Sequence, residues 1–348
     1  MTVTKTQTTL LSLAAAGAGL LLGARALRAA RAISFDGRVV VIAGGSRGLG
    51  LLLARQLARE GARLALLARD EVELQRAARD IEAHGLTPLT IPCDIGDREQ
   101  AERAIQQVAD QYGRVEILIN DAGTIQVGPV EHMTIADFET AMRVHFWGPL
   151  YLTLAALPWL RRVRDRSARI VNISSIGGRI AVPHLLPYSA SKFALTGLSD
   201  GLRAELGKDG IRVTTVLPGL MRTGSPYNAW FKGQHEAEFA WFAVADSMPG
   251  VSIDAERAAR KVVEACRHGD PELAITPQAR LAIIADAVLP SVVARSMQLM
   301  NWLLPAPGSA LGDQARSGWQ SPSRWAPSWL TRLTDRASAH TNQVPTVH

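Results

Sequence analysis

Tyr188-Ser-Ala-Ser-Lys192, with Ser175 thirteen residues before the tyrosine, supplies a phenol, an ammonium and a hydroxyl suited to carbonyl–alcohol chemistry. In a helix the four-residue step puts Tyr188 and Lys192 on one face, about one turn apart, so the ammonium lies near the phenol. A nearby cation favours phenolate, which predicts that the tyrosine pKa, about 10 when unperturbed, falls toward the range of a working general acid or base. The same spacing also occurs in helices where the two residues are only an amphipathic pair with its lysine snorkelling into water. The residues upstream bear on that choice.

Those residues begin at Gly37-Arg-Val-Val-Val-Ile-Ala-Gly44-Gly-Ser-Arg-Gly48-Leu-Gly50, where a short β-branched run ends in glycines and leads into Leu51-Leu-Leu-Ala-Arg-Gln-Leu-Ala-Arg59. The pattern reads as strand, tight turn and helix. Glycines there let the backbone approach a pyrophosphate and leave the N–H groups of a helix N-terminus facing the anion. The spacing is Gly-x-x-x-Gly-x-Gly, unlike the commoner Gly-x-Gly-x-x-Gly fingerprint.

Together these residues resemble the short-chain dehydrogenase/reductase family, and the resemblance runs from Phe35 to Gln278, about seven-tenths of the chain. Further motifs follow in order: Asp94 in Pro-Cys-Asp-Ile, Asn120-Asp121-Ala122-Gly123, Ile-Val-Asn-Ile-Ser-Ser175, and Pro218-Gly219-Leu-Met-Arg-Thr223. The resemblance implies a single Rossmann-type α/β domain with a doubly wound parallel sheet. It implies cofactor contacts from Gly44, Ser46, Arg47, Gly48, Leu49 and Gly50 in the turn, from Asp94 at the adenine, and from Asn120, Ala122 and Gly123. Pro218, Gly219 and Thr223 are similar to the segment that wraps the nicotinamide carboxamide and opens the substrate lid. Tyr188 is implied as proton donor or acceptor, Lys192 as the group that lowers its pKa and holds the nicotinamide ribose, and Ser175 as the group that orients the substrate oxygen. Ser175 and Tyr188 would then meet the developing alkoxide charge with placed donors.

Two departures from the family pattern bear on the chemistry. The position where the family often has an asparagine, whose backbone helps hold a water-linked proton relay to the lysine, is His145 in Val144-His-Phe-Trp-Gly148. An imidazole can also bridge to water, so a working relay is expected; the alternative is a partly buried helix residue. Asp121 for asparagine and Ala43 for threonine touch structural hydrogen bonds more than chemistry. Cofactor preference is read from charge. The strand Arg63-Leu-Ala-Leu-Leu-Ala68 ends without an acid and is followed by Arg69, and Arg47 lies in the glycine turn. Two arginines at one phosphate favour NADP(H) over NAD(H), with Asp70 as the contrary sign.

A chain of 348 residues with 47% hydrophobic content can bury one large α/β core and still carry extensions. The expected organisation is an N-terminal segment over 1–31, a catalytic domain over 35–278 and an extension over 279–348. Strands alternating with helical stretches indicate a parallel sheet covered on both faces. Cys93 and Cys266 form no metal or redox spacing and read as reduced core thiols.

From Thr6 to Ala24 there is no charged residue for nineteen positions, and Arg25, Arg28 and Arg31 follow. As a helix rising about 1.5 Å per residue, that stretch just crosses a hydrocarbon core of roughly 30 Å. Ala15, Gly19 and Gly23 line a small-residue face. The flanking arginines put the catalytic domain on the cytoplasmic side of a membrane. An interfacial helix, a cleaved signal peptide and a cytoplasmic protein are the alternatives. Of the net charge of +6, this first segment supplies +4, so the basic balance faces an anionic lipid surface and no nucleic-acid platform is expected.

Ala279 to Leu304 is apolar and interrupted by Pro290, consistent with a helix pair. The Trp- and Arg-containing tail beyond it suits either a headgroup boundary or a disordered or surface-packed tail. After Thr223, the residues Tyr227, Trp230, Phe231, Phe239, Trp241 and Phe242 fall within sixteen positions. As an aromatic lid they favour a lipophilic substrate such as a steroid, retinoid or fatty acyl derivative; as core or subunit contact they carry no such meaning. The reading is an oxidoreductase, with a membrane-tethered cofactor-binding protein of little turnover as the alternative. The family resemblance also implies dimers or tetramers.

Overall fold

The structure, a computed structural model, describes residue 19 and residues 22–85 and 87–344. Seven parallel strands form the central sheet: β1 (Val39–Ala43), β2 (Arg63–Ala68), β3 (Leu89–Pro92), β4 (Ile117–Asn120), β5 (Arg169–Ile173), β6 (Arg212–Leu217) and β7 (Glu272–Ala274). Their spatial order is β7-β6-β5-β4-β1-β2-β3. The expected doubly wound sheet is therefore present, and the order reverses between β1 and β4, where such folds open a crevice at the carboxyl ends of the strands.

Strand β1 shows why these residues choose this arrangement. All five of its side chains are buried, as a β-branched run between two helical layers requires. Val40 and Ile42 face one layer with Leu51, Leu53, Leu57 and Val262. Val39, Val41 and Ala43 face the other with Ile105, Val108, Leu152 and Leu160. The period of two thus splits one strand between two cores. Each buried valine or leucine contributes about 1.5–3 kcal/mol.

The first layer holds α1 (Gly48–Arg59), and α2 (Glu71–Glu82) follows β2. The second holds α3 (Arg98–Tyr112) and a long element made of α4 (Ile135–Met142), a π-helical stretch at Arg143–Trp147, and α5 (Gly148–Leu160). Next come α6 (Leu186–Leu206), α7 (His235–Ser247) and α8 (Ala255–His268). Cys93 and Cys266 are buried free thiols, and burial pushes them up to about 11 and about 12.

The apolar stretch after the domain forms α9 (Pro277–Val288) and α10 (Pro290–Leu303), bent by 120° at the break. Pro290 is the first residue of α10, where its missing N–H costs nothing. Beyond it the chain folds back. Strand Arg316–Ser317 pairs antiparallel with Trp230–Phe231, and α11 (Arg332–His340) lies against α7, where Ser247 Oγ donates to Thr334 Oγ1 at 2.7 Å. Of the readings of the tail, the surface-packed one matches the structure: Ala326, Thr331 and Thr334 are fully buried, while Trp325 and Trp329 remain exposed.

The charge-free stretch proposed as an anchor lies mostly outside the described residues. Residues 22–29 are helical, and Arg28 meets Asp270 at 2.7 Å. Among the described residues no single helix is long and apolar enough to cross a membrane; α9 and α10 reach that length and composition only together.

Candidate active site

Ser175, Tyr188 and Lys192 meet where β5 ends and α6 begins. Ser175 leaves the strand extended and accepts the Gly177 N–H at 3.0 Å, which holds its hydroxyl over the short turn Ile176–Gly178. Gly177 must be small there. A Cβ on it would stand 3.3 Å from the Tyr188 ring and 3.4 Å from Ser175 Oγ. Pro187 at the start of α6 pre-sets the first turn, from which Tyr188 and Lys192 project on one face.

Lys192 is buried at 4% exposure and donates to the Ile173 carbonyl at 2.8 Å. Its Nζ stands 5.7 Å from the centre of the Tyr188 ring. Burial pushes this ammonium down to about 8, against the pull of the Asp121 carboxylate. The expected fall of the tyrosine pKa does not occur in the protein by itself. Burial raises the Tyr188 phenol above its ordinary value, the Ser175 hydroxyl lowers it in part, and Asp121 adds to the rise. Desolvation of the phenolate is the largest cause, and the Lys192 ammonium is engaged with a main-chain oxygen. Asp121, read from sequence as structural, proves to be part of this electrostatic group: burial pushes it up to about 7, with Lys192 and the Gly50 N–H opposing.

His145 is fully buried in the π-helical stretch, whose wider turn carries it into the site. Its Nε2 accepts the Thr124 N–H at 3.1 Å, so the remaining proton sits on Nδ1, which lies 2.7 Å from Ser191 Oγ. Ser191 Oγ in turn donates to the Tyr188 carbonyl at 2.8 Å. Both ring nitrogens are committed away from Lys192, and burial holds the imidazole far below its ordinary pKa. The structure therefore seats the His145 side chain as a neutral brace behind Tyr188, with the rings edge-on at 5.4 Å and the imidazole turned away from Lys192.

The glycine turn packs as the motif requires. Gly44 is left-handed at φ +88°, and a Cβ on it would stand 2.6 Å from Ala122 N; a Cβ on Gly50 would collide with the Gly44 carbonyl. Helix α1 begins at Gly48 with no side-chain cap and no acid in its first turn, so its positive end suits phosphate oxygens. Leu49 is buried beneath. The residues present fit a dinucleotide: Ser46, Arg47 and Gly48 face the turn, Gly123 borders His145, and Pro218 is tied to the site by the Ile176 N–H at 2.8 Å. Gly219 lies beside Thr276, and Thr223 is buried on the opposite lip. Asp94 is half-buried and accepts the Gly96 N–H. The Asn120 side chain is turned into the sheet, where it donates to Asn172 at 2.8 Å, so that position braces β4 on β5.

At the expected ribose end the charges divide differently from the sequence reading. Asp70, the contrary sign, caps α2 by accepting the Glu73 N–H at 2.8 Å. Glu73, which sequence reasoning missed, accepts from Ser46 Oγ at 3.1 Å and pairs with Arg47 at 2.9 Å. Arg69 is exposed. The only available signal for Glu73 was its place three residues after a capping aspartate.

The aromatic segment after Thr223 is mostly core. Tyr227, Phe231, Phe239 and Phe242 are buried together with Val127 and Leu185, against Tyr188 and Trp241. Tyr227 stacks on Trp319 of the returning tail at 4.4 Å. Of the six rings only Trp230 is exposed, at 45%.

Comparison with known proteins agrees with this geometry. The family model described as short chain dehydrogenase matches residues 38–230. A dehydrogenase/reductase SDR family protein 7-like from Anopheles gambiae is 37% identical over 199 residues, covering 56% of this chain and 62% of that protein. An 11-beta-hydroxysteroid dehydrogenase A from Sesamum indicum is 34% identical over 242 residues, covering 67% of each. The crystal structure of a dehydrogenase/reductase from Sinorhizobium meliloti 1021 superposes with a TM-score of 0.62 at 31% identity, over 72% of this chain and 97% of its own. With the sheet order, the glycine turn and the Ser175/Tyr188/Lys192 group in place, the chain belongs to the short chain dehydrogenase family of oxidoreductases.

Proposed function

We propose that the protein is an NADP(H)-dependent oxidoreductase that interconverts a carbonyl and a primary or secondary alcohol on a lipophilic substrate of steroid, retinoid or fatty acyl type. The observation that carries this reading is the convergence of Ser175, Tyr188 and Lys192 where β5 ends and α6 begins. A bound nicotinamide cofactor supplies or accepts the hydride. In reduction the raised pKa keeps Tyr188 protonated at neutral pH, ready to give its proton to the substrate oxygen as charge develops there. Ser175 donates to the same oxygen and so lowers the energy of the alkoxide. Lys192, near neutrality at about 8, is placed to return a proton toward Tyr188. His145 keeps the tyrosine's own turn of helix in register.

The preference for NADP(H) rests on Arg47 and Arg69 and on the engagement of Asp70 as a helix cap. The lipophilic substrate rests on the sesame relative, whose name gives a hydroxysteroid. The buried lid rings no longer support it. Purified protein offered NADPH and a panel of hydrophobic ketones should oxidise the cofactor, and Tyr188→Phe should abolish turnover while NADPH still binds. Wild type and variant equally silent across the panel, with NADPH bound, would establish a binding protein instead.

The membrane association read from the first 31 residues stays part of the proposal, with the catalytic domain on the cytoplasmic side. Residues 1–31 should carry the full-length protein into the membrane fraction, and a full-length protein found only in the supernatant would refute it.

A further inference from the structure

Residues 341–343 lie across the glycine turn. Thr341 Oγ1 donates to the Thr223 carbonyl at 2.7 Å, and the Thr341 carbonyl accepts the Gly48 N–H at 2.8 Å. Asn342 Nδ2 donates to the Ser46 carbonyl at 2.8 Å. Asn342 is left-handed at φ +57°, a conformation that asparagine tolerates, and this turns the chain so that successive residues reach opposite lips. Gln343 is held by Asn228 Nδ2, at 2.8 Å to its carbonyl and 2.6 Å to Oε1. Its Nε2 stands 3.0 Å from where a Cβ on Gly48 would be. Thr341 and Gln343 are 2% and 6% exposed, so they are seated in the cleft and not draped over it.

Gly48 is the first residue of α1, and its N–H is one of the donors that a helix N-terminus offers to an anion. That hydrogen cannot serve the Thr341 carbonyl and a phosphate oxygen together. We propose that Thr341–Val344 is an autoinhibitory strap, which bridges Thr223 and Asn228 on one lip and Ser46 and Gly48 on the other and competes with the dinucleotide phosphates for the glycine turn. The inference rests on the reading of that turn as the cofactor site. The strap's grip is polar throughout, made of amides, hydroxyls and carbonyls, so a ligand that brings stronger, charge-assisted acceptors can displace it. Helix α11 is anchored on α7 through Thr334 and Asp246, so the strap detaches from a fixed base at His340.

The test is a binding titration with NADPH and needs no substrate. The full-length chain is compared with a chain ending at His340 and with a full-length Asn342→Ala/Gln343→Ala variant, each checked for an intact melting transition. A strap engaged about nine-tenths of the time weakens apparent affinity about tenfold. Both variants should therefore bind NADPH about tenfold more tightly than the full chain, and adding NADPH to the full chain should speed hydrogen exchange of the amides of 341–344. Equal or weaker binding by folded variants, or slower exchange of the strap with NADPH, overturns the proposal and makes the tail a wall of the site. If the full chain and the variants alike fail to bind NADPH or NADH, the cofactor reading falls, and the strap with it.

Discussion

Glu73→Gln isolates the electrostatics of cofactor choice. In the structure the Glu73 carboxylate holds Ser46 Oγ at 3.1 Å and the Arg47 guanidinium at 2.9 Å, and Arg47 is one of the two arginines proposed to meet a 2′-phosphate. The arginine is about one-third exposed and the glutamate mostly buried, so the pair is partly screened. Exposed ion pairs contribute about 0.2–1 kcal/mol, and hydrogen bonds to charged groups about 1.5–3 kcal/mol. Releasing Arg47 should thus cost about 1–2 kcal/mol, which NADPH must supply and NADH, lacking the phosphate, need not. Glutamine keeps the shape and a hydrogen bond to Ser46 but removes the charge. NADPH should then bind about five- to thirty-fold more tightly, with NADH changed by less than about threefold. Titration of both dinucleotides against wild type and variant gives the two ratios directly. A parallel change for NADH and NADPH, or no change for NADPH, would show that the 2′-phosphate does not meet Arg47.

The same structure yields three further tests. His145→Ala leaves the half-buried Thr124 N–H without its acceptor, removes the Nδ1 contact to Ser191 and opens a cavity, so stability should fall by roughly 2–4 kcal/mol in urea titrations. Because burial holds the imidazole neutral, the wild-type rate profile between about pH 5.5 and 7.5 should show no histidine step; a step that vanishes in His145→Asn would contradict the brace. Gly177→Ala pushes a methyl to 3.3 Å from Tyr188 and 3.4 Å from Ser175, and should lower kcat by roughly tenfold while the melting temperature moves by only a few degrees; an unchanged kcat would show that the pair has slack. Asp121, raised from 3.8 to about 7, holds a proton in the folded chain that the unfolded chain has already released between those values. Its share of stability is therefore present at low pH and lost as pH rises through about 7, and Asp121→Asn should flatten that slope in denaturation curves; an unaltered slope would place the titrating group elsewhere.

The grouping of Ser175, Tyr188 and Lys192 was legible in the sequence because it depends on residue type and short spacing. Tyr188 and Lys192 are four apart on one helix, and Ser175 ends the adjoining strand. The sheet was legible for a related reason: five buried residues in a row, as in β1, are stable only between two helical layers. The electrostatic state of the site was not legible. A cation four residues from a phenol predicts a lowered pKa, but Lys192 bonds to Ile173 and burial drives the phenol the other way.

The aromatic segment shows a second limit. Its composition fits a lid or a core equally, and the returning tail, with Trp319 stacked on Tyr227, decides for core. Sequence by itself therefore determined the family architecture, the glycine turn and the three side chains proposed to react, whose spacing is set within a few residues. Only the tertiary structure decided where Glu73, His145 and Asp121 spend their charges and hydrogen bonds, since burial and partner choice are properties of the assembled interior. It alone showed Asn342 bonded to Ser46 across 296 positions, because a contact that closes so long a loop leaves no periodic trace in either segment.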